Sequence, residues 1–407
     1  MKVTIVVGGR WHAFDLAKEL NLKGCLYRII TNYPSWYVQK WGIPKENIIS
    51  LPATFYLVKA IYWLGGEKLM MRCQWIIHSW FAQAAAKHLE GSQLIHAWSS
   101  WAEPSMRWAN KHAIPSVLER SSAHILEQSL LLKEEYSCLQ SKWIATHPSI
   151  EEMECREYML ASMISVPSRF VQESFMRRGF TPQKVKKHLL GANLHNFKPS
   201  EESIPSPSLS GLKVLFVGSL TPQKGVHYLL KAFNRYTCEQ SILTLLGGGT
   251  TTEIKRLLRK FNDQRIRTPG HLPQSDLPSF YHQHHVLVLP SIQDGFGMVL
   301  AQAICCGVPI IATMNTGGRD LLEMDGSQPE ESQYGGYGCL VYPAGWIVPP
   351  RAPEALAAIF RDLVEKPDLW INKRKSAIRL RDKNLSWDTY ASSLCRSYSS
   401  LLSDEPS

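Results

Sequence analysis

Disulfide and metal chemistry find little to work with in this sequence. Its nine cysteines are an odd number without a C-x-x-C pair, and only Cys305-Cys306 are neighbours, which make poor disulfide partners. A reduced, cytosolic chain whose cysteines act as small hydrophobes is expected. The fourteen histidines include no H-x-x-x-H pair and no Cys/His cluster, so no dedicated metal site is expected. Long apolar runs are also missing. The longest uncharged stretch, Gly295 to Gly318, carries five glycines and Pro309, and reads as a buried helix followed by a buried strand rather than a bilayer span. The opening Met1–Gly9 has too short an apolar run for a secretory leader and reads as a first strand. Uniform basicity is absent too. The chain of 407 residues carries +10, but residues 1–200 hold 24 Lys and Arg against 15 Asp and Glu, whereas 201–407 hold 21 against 20. That excludes an evenly basic nucleic-acid coat protein and leaves two halves with different tasks.

What is present sharpens this division. Ten of the 13 tryptophans lie in the basic first half. There Phe55–Leu64 is aromatic and broken only by Lys59, and Lys68, Arg72, Trp75, Ile76, Ile77, Trp80 and Phe81 follow. This stretch suits either contact with a lipid interface or an amphipathic helix pair packed on its own domain. The Pro/Ser-rich segment around 200–211 reads as a linker, and Lys213–Gly218 then restarts with a β-rich run, as residues 2–7 did. Strands at 213–218, 242–246, 265–268, 286–289 and 308–312 alternate with helical patterns at 225–236, 252–261, 275–283 and 298–305. Such alternation implies a parallel, doubly wound sheet. The first half is noisier: strands at 2–7, 26–31, 93–96 and 116–119, with helices at 12–22 and 102–112. A closing helix is expected over 387–402. In such sheets ligands bind beyond the carboxyl ends of the strands, which directs attention to the βα loops.

Two loops carry chemistry. In Gly218-Ser219-Leu220-Thr221-Pro222-Gln223-Lys224-Gly225 a strand ends in glycine, one lysine follows, and a helix starts. An ammonium beside helix-start amides suits a phosphate, and a solvated lysine is the plainer alternative. In Pro290–Gln302, Gly295 and Gly297 bracket Phe296 and let the backbone of Met298 and Val299 approach a ligand. Asp294 precedes that helix start and Gln302 lies one turn past Met298, so they suit two hydroxyl-bearing parts of one ligand. A capping Asp294 and a satisfied, buried Gln302 are the alternatives.

These blocks resemble the retaining family-4 glycosyltransferases of the GT-B fold. The resemblance rests on Val217-Gly218-Ser219-Leu220 with Lys224-Gly225, Gly247-Gly248-Gly249, Pro290-Ser291 through Asp294-Gly295-Phe296-Gly297, Gln302-Ala303, Gly307–Thr313, Gly317-Gly318 and Gly345–Pro350. Gly191-Ala192-Asn193-Leu194 ahead of Phe197 and Pro199 fits as well. The resemblance implies an α/β fold of two Rossmann-like doubly wound parallel-sheet domains facing across a cleft. The expected parts are an acceptor-side domain at 1–199, a linker at 200–211, a nucleotide-sugar-binding domain at 212–385 and a helix at 386–407 packing back toward the first domain. It implies transfer of a sugar from a UDP- or GDP-sugar to a hydroxyl acceptor with retained configuration, no metal and no permanently bound cofactor. Lys224 with the Gly297, Met298 and Val299 amides would stabilise the departing diphosphate, and Gly218, Ser219, Gly248, Gly295 and Phe296 would belong to the same donor-binding set. Asp294 would take sugar hydroxyls, Gln302 the ribose, and Gly248 with His271-Leu272 the base. From the first half, Gly8 and Gly9 would reach the diphosphate, His124 the reacting sugar, and His12, Glu119 and Arg120 the acceptor side.

Three positions depart from the pattern. Ser219 stands where an Arg grips the diphosphate, with Arg120 or Arg10 as replacements on closure. Asp294 and Gln302 stand where two glutamates are usual. The insert Met324 to Ala344 has no assigned role. The acceptor is expected to be anionic or lipid-linked, or else a soluble polysaccharide precursor or a small metabolite; the chain is expected in the cytoplasm, either free or at the inner membrane face through its basic half, with no nucleic-acid partner. A nucleotide-sugar isomerase of the epimerase type and a non-catalytic sugar binder are the rival readings.

Overall fold

The structure, a computed structural model, describes residues 1–200, 204–207, 211–235, 239–383 and 385–403. The expected linker at 200–211 therefore lies partly outside the described residues. Among the described residues no helix is long and apolar enough to cross a membrane.

Two sheets account for the architecture. The first contains β1 (Val3–Val7), β2 (Leu26–Thr31), β3 (Ile48–Ser50), β4 (Leu94–Trp98), β5 (Ser116–Glu119), β6 (Met163–Val166) and β7 (Val185–Lys187), in the order β3-β2-β1-β4-β5-β6-β7. Every pairing is parallel. β1, β4, β5 and β6 are buried along their whole length, including the polar Thr4, His96, Ser116, Glu119 and Ser165. The second sheet contains β8 (Lys213–Val217), β9 (Ile242–Leu246), β10 (Ile266–Gly270), β11 (Val286–Leu289), β12 (Ile310–Thr313), β13 (Glu330–Tyr334), β14 (Tyr337–Tyr342) and β15 (Gly345–Val348), in the order β10-β9-β8-β11-β12-β15-β14-β13. It is parallel from β10 to β15. The insert at 324–344 supplies the antiparallel edge hairpin β13–β14, turning at Gly335-Gly336 with both glycines at positive φ.

The helices follow apolar spacing where the sequence is regular. Val226–Arg235 buries Val226, Leu229, Leu230 and Phe233 on one face. The Phe55–Phe81 stretch forms one helical segment, Ala53–Ala85, kinked at Gly66 (φ 60°, ψ −156°), a conformation that favours glycine. The closing helix Trp387–Ser403 packs on the helix Ala13–Leu22 of the first sheet. Lys23 Nζ donates to Asp388, Tyr398 OH lies 2.5 Å from His96 Nδ1, and Ser397 Oγ lies 2.9 Å from His188 Nε2.

The chain passes between the sheets where two segments touch. Ala192 N–H donates to Leu385 O at 2.9 Å, and a Cβ on Gly191 would lie 2.4 Å from the carbonyl carbon of Ser386. Leu190, Ala192, Phe197, Leu385 and Tyr390 join Val3 of the first sheet and Leu287 of the second in one apolar cluster.

Candidate active site

The two chemistry-bearing loops meet at the carboxyl edge of the second sheet. Gly225 (φ +69°) approaches the loop after β11 so closely that a Cβ would lie 1.8 Å from Pro290 O, and Ile292 N–H donates to Gln223 O at 2.9 Å. That clamp brings Lys224 Nζ to 2.6 Å from Asp294 Oδ2, a partly buried ion pair. A third loop holds the other flank. Asp294 N–H donates to Asn315 O, Asn315 Nδ2 donates to Ile292 O, and Gly317 N–H donates to Phe296 O.

Behind this pair the helix Met298–Cys305 starts at Gly297 (φ +78°) without a side-chain cap. Its first amides have no acceptor within the helix, and together with the ammonium they make a locally positive end. The loops after β8, β9 and β10 are knitted together as well. Leu220 N–H donates to Gly248 O, Gly247 N–H donates to Gly270 O, and His271 Cβ lies 3.7 Å from where a Cβ on Gly248 would be. Ser219 is exposed on this rim. Gln302 is buried, and its Oε1 accepts from Tyr281 OH at 3.0 Å. Its carbonyl oxygen is therefore engaged within the second half.

The first half meets this site through Ser121, Ser122 and Ser168, which the sequence reading missed. Ser168 Oγ donates to Gly295 O at 2.5 Å, and Ser122 Oγ donates to Gln293 Oε1 at 3.0 Å. A Cβ on Gly295 would fall 1.7 Å from Ser121 O, so only glycine fits there. Beside it Arg169 N–H and Lys187 Nζ both donate to Asp320, at 2.9 and 2.6 Å. Ser168 also caps the helix Arg169–Met176, a Ser-Arg-Phe-Val signal that was available in the sequence.

The other first-half residues go elsewhere. Gly8 packs under the Trp101 ring, which a Cβ would meet at 2.1 Å, and Gly9 lies against Trp11 Nε1. Glu119 is not on an acceptor surface. It is fully buried, with Oε1 3.0 Å from His12 Nε2 and Oε2 3.3 Å from His96 Nε2. Burial alone would push its carboxyl up, yet the two imidazoles hold it far below the usual carboxylate range. His12, stacked at 6.2 Å on Trp387, belongs to this cluster beneath the closing helix.

Arg120 cannot swing into the cleft either. Its buried guanidinium lies 2.9 Å from Glu154 and donates to Ala123 O and Gln128. Arg120→Ala is expected to cost roughly 3–5 kcal/mol, because it strands a buried carboxylate; a urea titration that finds no loss contradicts this. His124 is a helix cap. Its Nδ1 accepts from Leu126 N–H at 3.3 Å, inside a nest of Tyr158, Phe175 and Phe180, and burial lowers the imidazole to about 4. That placement explains His124 without a reacting sugar.

The comparisons with known proteins follow from this geometry. A family model described as glycosyl transferases group 1 matches residues 211–366, the stretch holding every loop of the site in the second half. Over those residues, less than half of the chain, the protein is similar to that family. Glycogen synthase of Mycobacterium tuberculosis is 26% identical over 196 residues, covering 47% of this chain and 43% of that protein. The match therefore spans less than half of that relative's own length. The D-inositol 3-phosphate glycosyltransferase of Streptomyces avermitilis is 22% identical over 375 residues, 86% of this chain and 66% of that protein. Among solved structures, Anabaena Alr3699/HepE in complex with UDP and glucose superposes with a TM-score of 0.67 at 15% identity, covering 98% of this chain and 100% of that one. The chain thus has the GT-B fold, with both sheets included.

Proposed function

We propose that this chain moves a glycosyl unit from a UDP- or GDP-sugar to a hydroxyl acceptor, with retained anomeric configuration and without a metal ion. One observation carries the reading: the Lys224–Asp294 pair at 2.6 Å, seated before the uncapped Gly297 helix start. The Lys224 ammonium and the Gly297, Met298 and Val299 amides would bind the donor diphosphate and stabilise it as it leaves. Asp294, displaced from the ammonium, would orient sugar hydroxyls. Gln302, with its amide nitrogen, would serve the ribose, and the backbone at Gly248 and His271-Leu272 the base. The bond from the anomeric carbon to the diphosphate oxygen breaks with its electrons on the phosphate. The acceptor oxygen bonds that carbon on the same face, and its proton passes to the leaving oxygen.

In this reading residues 1–199 form the acceptor side, 212–385 the donor side, and Trp387–Ser403 the returning helix, the end of the expected 386–407 segment lying outside the described residues. The crossing at Gly191-Ala192 and Leu385-Ser386 acts as the hinge, and parting of the Ser168–Gly295 and Ser122–Gln293 contacts admits substrates. The +9 charge of the first half favours an anionic or lipid-linked acceptor at the inner face of a membrane.

A melting series with UDP- and GDP-sugars tests the donor site. One donor class at saturation is expected to raise Tm by about 5 °C, and nucleotide is expected to be released only when acceptor is added. An altered free nucleotide sugar would instead support the isomerase. Binding without turnover would support a sugar binder, a reading that the exposed Ser219 in place of an arginine favours. No shift with any donor overturns all three.

A further inference from the structure

One face of the first half is left open by everything above. The kink at Gly66 lifts Tyr62, Trp63 and Leu64 into solvent, and Trp63 is 85% exposed. Beyond the kink, Trp75, Ile76 and Trp80 stand on the exposed side of the same helix, while Ile77, Phe81 and Ala85 pack into the core. Next to this stripe lies a groove of about 930 Å³. Its apolar wall comes from Met71, Leu126, Leu130, Trp143, Ile144 and Pro148, and Trp75 stacks on its His147 at 5.9 Å. Leu130 and Ile144 are at least half exposed. So wide an apolar surface is not a feature of a chain that keeps all its faces in water.

The charged side chains lining it are mostly basic: Arg72, Lys133, Lys142 and Arg178 against Glu151. Arg72, Lys133 and Lys142 stand exposed on the groove rim, and among the described residues no ion pair takes any of the three. The acidic side chain in the lining, Glu151, accepts the Ser129 hydroxyl. Tryptophans with indole at the surface, leucine and isoleucine beside them, and lysine and arginine at the rim suit the boundary between lipid headgroups and acyl chains. A protein partner would have to be both apolar and acidic, whereas an anionic bilayer is both by construction.

We propose that the kinked helix Ala53–Ala85 and the adjoining groove seat this protein peripherally on an anionic lipid bilayer, with Trp63 and Ile76 entering the interface and Arg72, Lys133 and Lys142 facing headgroup phosphates. The seating deepens the acceptor side of the proposed function and rests on that reading for its purpose. Vesicle binding is read without turnover, so either can fail alone.

The test is flotation of the full chain with vesicles of phosphatidylcholine alone, and of phosphatidylcholine with phosphatidylglycerol in a three-to-one ratio. The chain is expected to float with the anionic vesicles and stay behind with the neutral ones. Trp63→Glu with Ile76→Glu is expected to lower the bound fraction about tenfold at unchanged Tm, since both side chains stand in solvent. Lys133→Glu with Lys142→Glu is expected to abolish the preference for anionic vesicles. Absence of flotation overturns the proposal. So does equal binding to both vesicle types, or a dimer in solution that Trp63→Glu dissolves while flotation persists, since a second copy would then cover this face.

Discussion

Replacing Lys224 by alanine is expected to lower kcat by about two to three orders of magnitude, the range found when a preorganised donor to a developing anion is removed. The reason lies in what surrounds the lysine. Ser219 brings no cation to this rim, and Arg120, a candidate substitute, is held 2.9 Å from Glu154 inside the first half. The diphosphate charge that develops on bond breaking therefore falls mainly on the Lys224 ammonium and the amides after Gly297, with the exposed Arg10 over the Trp41 ring the remaining candidate from the first half. Donor affinity should weaken less than kcat, because the charge on the leaving phosphate grows toward the transition state. Tm should hardly change, since the Lys224–Asp294 pair is partly open to water and such pairs stabilise little. Lys224→Arg should recover part of the rate, as the charge is kept and its geometry altered. Unchanged turnover in the alanine variant removes Lys224 from the diphosphate and with it the proposed mechanism.

Acidification from pH 7.5 to pH 5 is expected to unfold the chain or bring it close to unfolding. Burial lowers His78 to about 3, and His124, His188, His284 and His285 to about 4. The fold thus keeps five imidazoles neutral across a range in which the unfolded chain, with values near the ordinary 6.5, takes up protons. Unfolding binds protons there, so stability is whole above about pH 7 and falls as pH drops from 6.5 toward 4. At pH 5 the five together amount to on the order of 5–10 kcal/mol, comparable with the whole stability of a typical domain. Glu157, pushed up to about 8 by burial and by Glu154, acts in the opposite direction, as one group against five. Glu119 and Glu323, held low by their partners, lose their contribution only below the ordinary carboxylate range, outside this window. A Tm that stays flat between pH 7.5 and 5 by circular dichroism would show that these rings do not resist protonation in the fold.

The sequence by itself determined the βα rhythm of the second half and the two loops that meet at Lys224 and Asp294. Strand 286–289, the Gly-Phe-Gly turn and the helix after it are local patterns, set by which residues accept positive φ and which spacing buries one helix face. Lys224 and Asp294 were legible for the same reason: each sits at a fixed offset from a strand end, and parallel strands carry those ends to one edge. The hairpin β13–β14 was not legible, because β13 is mostly polar and pairs only with β14, which in turn gains its place against β15. The strands β3, β6 and β7 are three or four residues long and carry too little periodicity to stand out.

Only the tertiary structure decided where the first half's titratable groups go. Glu119, Arg120, His124 and His12 looked like cleft residues because they follow strand ends. Their destinations depend instead on partners far along the chain: His96 and Tyr398 around Glu119, Glu154 for Arg120, and Phe175 and Phe180 for His124. A buried charge settles where distant segments can neutralise it, and that is a property of the packed chain, not of its local order.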